Sequence, residues 1–171
     1  MPADLDELFA AFAVVETISI DAPPERVWAV VTDVGRMPDF SPECVKVEWL
    51  GGANEPAVGA RFAGASRAGA FEWTRNCTIT HAEPPHVFAY EVYDAADESP
   101  QSVWRFEIDP SPSGTLLTQR FAHVPAGRST IRLMAEDDPA TAQETIDERA
   151  EMLRDAMRRT LEAIRQELEA T

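Results

Sequence analysis

Residues 14–31 read VVETISIDAPPERVWAVV, and the junction inside this stretch decides the fold. Val14 to Ile20 is rich in β-branched residues and predicts a strand. Asp21-Ala22-Pro23-Pro24 stops it and starts a helix, because proline in a first helical turn lacks only an N–H that has no partner there. Val27, Trp28, Val30 and Val31 give that helix an apolar stripe, and Asp33-Val34-Gly35 ends it. Pro38 to Pro42 is too rich in proline for a long helix and predicts a second short turn of helix.

Beyond it the pattern predicts six strands. Val45–Leu50, Ala60–Arg67, Phe71–Thr80, Val87–Tyr93, Ser102–Asp109 and Thr115–His123 are separated by turn signals such as Ala68-Gly69-Ala70 and Pro84-Pro85. Period-two alternation puts Phe71, Trp73, Arg75, Cys77 and Ile79 on an inward face, with Glu72, Thr74 and Asn76 facing water. Phe88, Tyr90 and Val92 share a face, as do Trp104, Phe106 and Ile108, and Gln119, Phe121 and His123.

After Pro125 the spacing changes to three and four. Ile146, Ala150, Leu153, Met157, Leu161, Ile164 and Leu168 form one stripe of a long helix, with Glu and Arg on its other face. Ser129 to Glu136 predicts a helical turn before it, and Asp137-Asp138-Pro139 marks its start. Residues 1–12, with Leu5, Leu8, Phe9 and Phe12 at helical spacing, predict a short helix or a docked arm. Residues 13–171 then form a single domain. The class is α+β. A long amphipathic helix needs an apolar partner, and the inner face of the curved antiparallel sheet is the large one available. A bent sheet need not fill the space under its helix, and a cavity there is the default ligand site.

Composition narrows the function. The 171 residues carry 30 acidic and 15 basic side chains, a formal charge of −15. That charge argues against nucleic acid and against stable association with anionic membranes. The apolar run Leu8 to Val15 is far short of the roughly 20 residues that span a bilayer. Acidic Asp4, Asp6 and Glu7 do not fit a secretory leader, so the expected compartment is the cytoplasm, with Cys44 and Cys77 as free thiols. Gly64-Ala65-Ser66-Arg67-Ala68-Gly69 misses the spacing of a nucleophile elbow. Without an HExxH motif, a paired-Cys motif or a dinucleotide fingerprint, neither a metal nor a cofactor is expected. Asp39 and Glu43 are not evidently paired for two-carboxylate chemistry.

Ile18-Ser19-Ile20-Asp21-Ala22-Pro23-Pro24-Glu25-Arg26-Val27-Trp28, with Asp33 and Pro38-Asp39-Phe40-Ser41-Pro42, resembles the opening of the START/Bet v 1-like (SRPBCC) superfamily. Val58-Gly59-Ala60-Arg61-Phe62, Phe71-Glu72-Trp73 and Trp104-Arg105-Phe106 resemble its polyketide cyclase/dehydratase-like branch. The resemblance runs from Val14 to Glu169. It implies a helix-grip fold, seven curved antiparallel strands around a long C-terminal helix with a hydrophobic cavity. Members of this superfamily include lipid and sterol carriers, aromatase/cyclases and partners of other proteins, so fold alone does not choose a function.

The candidate ligand-binding residues are Trp73, Arg75, Tyr90, Trp104, Phe106, Gln119, Phe121, His123, Leu153 and Met157. Met152, Ala156 and Ala163 offer further flexible or small surface on the last helix. Arg75 is either a fork for a ligand carboxylate, phenolate or enolate, or a side chain in solvent or in an internal ion pair. His123 is either a general acid or base or a surface residue at a strand end before Pro125. Gln119 can bond a ligand carbonyl, and Tyr90 offers a directional hydroxyl. His81 and His86 flank Pro84-Pro85 and read as loop residues. Three functions are therefore expected in order: binding of a small hydrophobic or aromatic molecule, a cyclase/dehydratase-like enzyme using Arg75 with His123 or Tyr90, and a protein-interaction module using residues 1–12. The protein is expected to be a monomer or a homodimer, since sheet edges can pair.

Overall fold

The computed structural model describes residues 4–170. Helix α1 (Leu5–Ala10) is capped by Asp4, whose side chain accepts from the Asp6 amide at 2.9 Å. Strand β1 (Ala13–Ile20) then runs into α2 (Pro24–Val31), with Pro23 at the N-cap. A 3-10 turn at Val34–Arg36 and α3 (Met37–Phe40) complete the helical pair. Strands β2 (Cys44–Leu50), β3 (Arg61–Ala68), β4 (Phe71–Glu83), β5 (Val87–Asp94), β6 (Pro100–Ser111) and β7 (Gly114–His123) follow. Helix α4 (Thr130–Asp137) precedes the 28-residue α5 (Ala142–Glu169).

The strands form one antiparallel sheet in the order β1-β7-β6-β5-β4-β3-β2. Each strand from β2 to β7 pairs with its neighbour in sequence, and β1 returns to pair with β7. The β1–α2 junction is pinned from the β6–β7 turn. Gly114 has φ 135°, and a Cβ there would sit 2.5 Å from the Ile20 carbonyl oxygen and 2.8 Å from the Ala22 nitrogen. Only glycine lets the two turns meet this closely. Next to it the buried Thr115 hydroxyl donates to the Ala22 carbonyl at 2.7 Å.

Two apolar clusters hold the fold. One packs Ile20, Val27, Phe62, Phe88 and Ile108 against Leu161, Ile164 and Leu168 of α5. The other packs Phe9, Phe12, Val14 and Phe121 against Ile146, Leu153 and Met157. Trp104 touches both. Within residues 1–12, Leu5–Ala10 form the short helix, docked through the buried Phe9, and the first three residues lie outside the described residues.

The strands depart from simple alternation where bulges intervene. A register shift between Ile79 and His81 carries β4 on to Glu83, so His81 is an exposed strand residue paired with Ala89 rather than part of a loop. His86 does lie in the β4–β5 turn. A second shift, between Val92 and Tyr93, lets β6 begin at Pro100 and buries Gln101 beside Ser102. The strand also continues through Pro110 to Ser111, leaving a tighter turn than a break at Pro110 implies. Among the described residues no helix is long and apolar enough to cross a membrane.

Candidate functional site

Between the concave face of the sheet and α5 lies a cavity of about 470 Å³. Alternation on β4 to β7 sends Trp73, Arg75, Tyr90, Trp104, Phe106, Gln119, Phe121 and His123 to its wall. The stripe of α5 supplies Met152, Leu153, Ala156 and Met157. Ala163 does not join them. It sits one position before the lining residue Ile164, about 100° around the helix, and so turns away. Phe71, Met134 and Met152 also line the space yet are 63%, 45% and 48% exposed, which marks its mouth.

Arg75 is not in solvent, because its side chain is 16% exposed and internally partnered. Its Nε donates to the Gln101 Oε1, its Nη1 donates to the Thr74 carbonyl at 3.0 Å, and Asp94 stands 4.0 Å away. Burial lowers the Arg75 pKa, with Asp94 and Cys77 acting the other way. Gln101 holds this arrangement in place. It donates to the Arg128 carbonyl at 3.2 Å, and its own carbonyl accepts from the Val124 amide at 2.9 Å. The sequence carries no signal for Gln101, since the bulge that buries it is invisible to a period of two.

His123 is 5% exposed rather than a surface residue. α1 and the Phe12 that follows it fold over the end of β7, with the Phe9 ring 4.6 Å and the Phe12 ring 5.8 Å from the imidazole. The Nδ1–H donates to the Val124 carbonyl at 2.6 Å, so Nε2 accepts from the Ser129 hydroxyl at 2.7 Å. Burial lowers its pKa; the Val124 carbonyl opposes this and nearby Arg132 adds to it. The imidazole is thus neutral with both nitrogens engaged.

Burial also pushes the Tyr90 phenol well above its ordinary value and the Cys77 thiol up to about 12. The Cys44 thiol, on the same wall, is raised by burial as well. Gln119 is 6% exposed, and its Oε1 is buried with no hydrogen-bond partner among the described residues.

One pair at the wall escaped sequence reasoning. Arg149 of α5 grips Glu43 with two parallel bonds of 2.8 Å and lies over the Trp73 ring at 5.5 Å. The partners are 106 residues apart, and nothing in local spacing announces such a contact. Asp39 is likewise bonded to Arg36 at 3.2 Å, so each carboxylate has its own guanidinium partner. Among the described residues no group of three or more His, Cys, Asp or Glu side chains could hold a metal ion.

A curved antiparallel sheet gripping a long helix over a cavity defines the helix-grip class. The chain belongs to the family described as polyketide cyclase / dehydrase and lipid transport, whose model matches residues 11–169. Among curated proteins none matches the sequence. Of solved structures, the polyketide-cyclase-like protein Cgl2372 from Corynebacterium glutamicum is 28% identical, with a TM-score of 0.65 over 92% of this chain and 91% of that one. The Zhui aromatase/cyclase from Streptomyces sp. R1128 is 21% identical, with a TM-score of 0.68 over 92% and 93%. The di-domain ARO/CYC StfQ from the steffimycin biosynthetic pathway is 10% identical, with a TM-score of 0.73 over 93% of this chain and 51% of that one. The last two likenesses bear on the fold.

Proposed function

We propose that the protein binds a small hydrophobic or aromatic molecule in this cavity. The observation that carries the proposal is the wall itself: Trp73, Trp104, Phe106, Phe121, Leu153 and Met157 meet around one space. Burying about 300 Å² of apolar ligand surface contributes roughly 7 kcal/mol at about 25 cal/mol per Å². Lost ligand freedom offsets several kcal/mol of that, leaving binding near the millimolar range unless polar contacts add to it. Gln119 and Tyr90, whose polar atoms have no partner among the described residues, orient the ligand, and the apolar wall holds it.

Cyclase- or dehydratase-like chemistry receives less support. His123 spends its Nδ1–H on the Val124 carbonyl and its Nε2 on the Ser129 hydroxyl, so it can act on a ligand only through Ser129. The Tyr90 phenol is a weak acid in its buried site. An interaction module built on residues 1–12 loses its contact surface, because Phe9 and Phe12 are buried in the protein's own core. The test is native mass spectrometry of protein purified without denaturation, followed by extraction and identification of the adduct. A stoichiometric apolar adduct supports the proposal. Apo protein that also fails to take up any of a panel of aromatic probes counts against it.

A further inference from the structure

The polar groups of the cavity point to a narrower ligand class, an inference that rests on the proposed cavity binding. Gln119 presents a carboxamide from the middle of β7, opposite Phe106 in the strand register and one same-face step from Phe121, both on the same wall. Its side chain makes no hydrogen bond among the described residues, and its Oε1 is an unsatisfied buried acceptor. An orphaned buried polar atom is destabilising, so a fold retains one at the expense of stability. Tyr90 lines the same space, and its hydroxyl also has no partner among the described residues.

The chemistry that satisfies these groups is specific. A carboxamide offers N–H donors and an oxygen acceptor, and rotation about its last torsion presents either one. A ligand hydroxyl both donates and accepts, so it meets the carboxamide in either orientation. A carbonyl meets only the N–H. A carboxylate meets only the N–H too, and brings a charge that must be paired. Arg75, one of two guanidiniums on the wall with side chains 16% exposed, already donates to Gln101 and Thr74 and has Asp94 as its counter-charge. Arg149 is held by Glu43, and Glu148, next to it in sequence, also lines the wall. We infer that the cavity selects a neutral, hydroxyl-bearing apolar ligand, an alcohol or phenol, with Gln119 and Tyr90 as the residues that read the hydroxyl.

Three probes of one shape test this: naphthalene, 2-naphthol and 2-naphthoate, titrated into the full chain by calorimetry. The expected result is that 2-naphthol binds at least tenfold more tightly than either of the others. Gln119→Leu should lower 2-naphthol affinity about tenfold while leaving naphthalene as tight or tighter. Tyr90→Phe, which keeps the ring and its packing, should lower 2-naphthol affinity several-fold and spare naphthalene. Equal binding of all three, tighter binding of 2-naphthoate, or indifference of 2-naphthol to both substitutions overturns the inference while leaving cavity binding intact. Failure of all three probes to bind overturns cavity binding itself.

Discussion

Truncating Phe9 to alanine measures how far α1 belongs to the fold. The ring is fully buried, packs against Phe12 at 6.3 Å and His123 at 4.6 Å, and lies under the Arg132 guanidinium at 5.3 Å. Replacing a buried phenylalanine costs about 3–5 kcal/mol through lost transfer energy and the cavity left behind. The cation–π contact contributes about 0.5–1 kcal/mol of that. α1 has six residues, too few to stay helical without its anchor. The helix therefore undocks instead of collapsing onto the gap, which caps the loss near the lower end, about 3 kcal/mol. At about 2–4 °C per kcal/mol for a chain of this size, Tm should fall by about 6–12 °C. Urea denaturation and a thermal scan give the two values, with Leu133→Ala, at an exposed site, as a control expected within about 0.5 kcal/mol. NMR titration reads the local effect: once hydrated, His123 should titrate closer to its ordinary value. A loss under about 1 kcal/mol with His123 unmoved would refute the placement of α1 in the core.

Three other perturbations have expected outcomes. Burial depresses the His123 pKa, so the unfolded chain takes up the proton first as pH falls. Its share of stability is complete above about pH 6.5 and is lost as pH drops through that range towards the folded value. His123→Gln should flatten the slope of urea stability between about pH 7 and 5.5, and an unchanged slope counts against the assignment. The Glu43–Arg149 pair is bidentate, with side chains only 18% and 16% exposed, so a Glu43→Gln, Arg149→Gln double-mutant cycle should give a coupling of about 1–2 kcal/mol. A coupling near zero would mean the pair contributes nothing to closing the wall. Both thiols are raised by burial, so a maleimide should label native Cys44 slowly, and Cys77 only after unfolding. Equal rates for the two would contradict the burial difference between them.

The parts legible in the sequence were those governed by local chemistry. Pro23-Pro24 after a β-branched run fixes the strand–helix junction, and a period of two places Trp73, Tyr90, Phe106 and Gln119 on the cavity wall without any knowledge of the sheet. The i, i+3 and i+4 stripe does the same for Leu153 and Met157. Two kinds of feature stayed hidden. Bulges add a residue to one strand only, so the burial of Gln101 and the strand position of His81 follow from partner strands rather than from their own neighbours. Long-range pairings are the other kind. Arg149 meets Glu43 at the cavity wall, and α1 covers His123 from the far end of the chain, turning an apparent surface residue into a buried neutral one. The helix stripe also overreached at Ala163, where one step of helical rotation takes a small residue off the wall.

The most direct measurement of the central claim is the position of a bound probe. Intermolecular NOEs should be recorded between 2-naphthol and the protein's methyl groups in solution. Binding inside the cavity predicts cross-peaks from the naphthol ring protons to the methyls of Leu153, Ala156 and Met157, all of which line the space between helix and sheet. Cross-peaks confined to exposed methyls such as those of Leu133 or Val58, with Leu153 and Met157 silent, would contradict it.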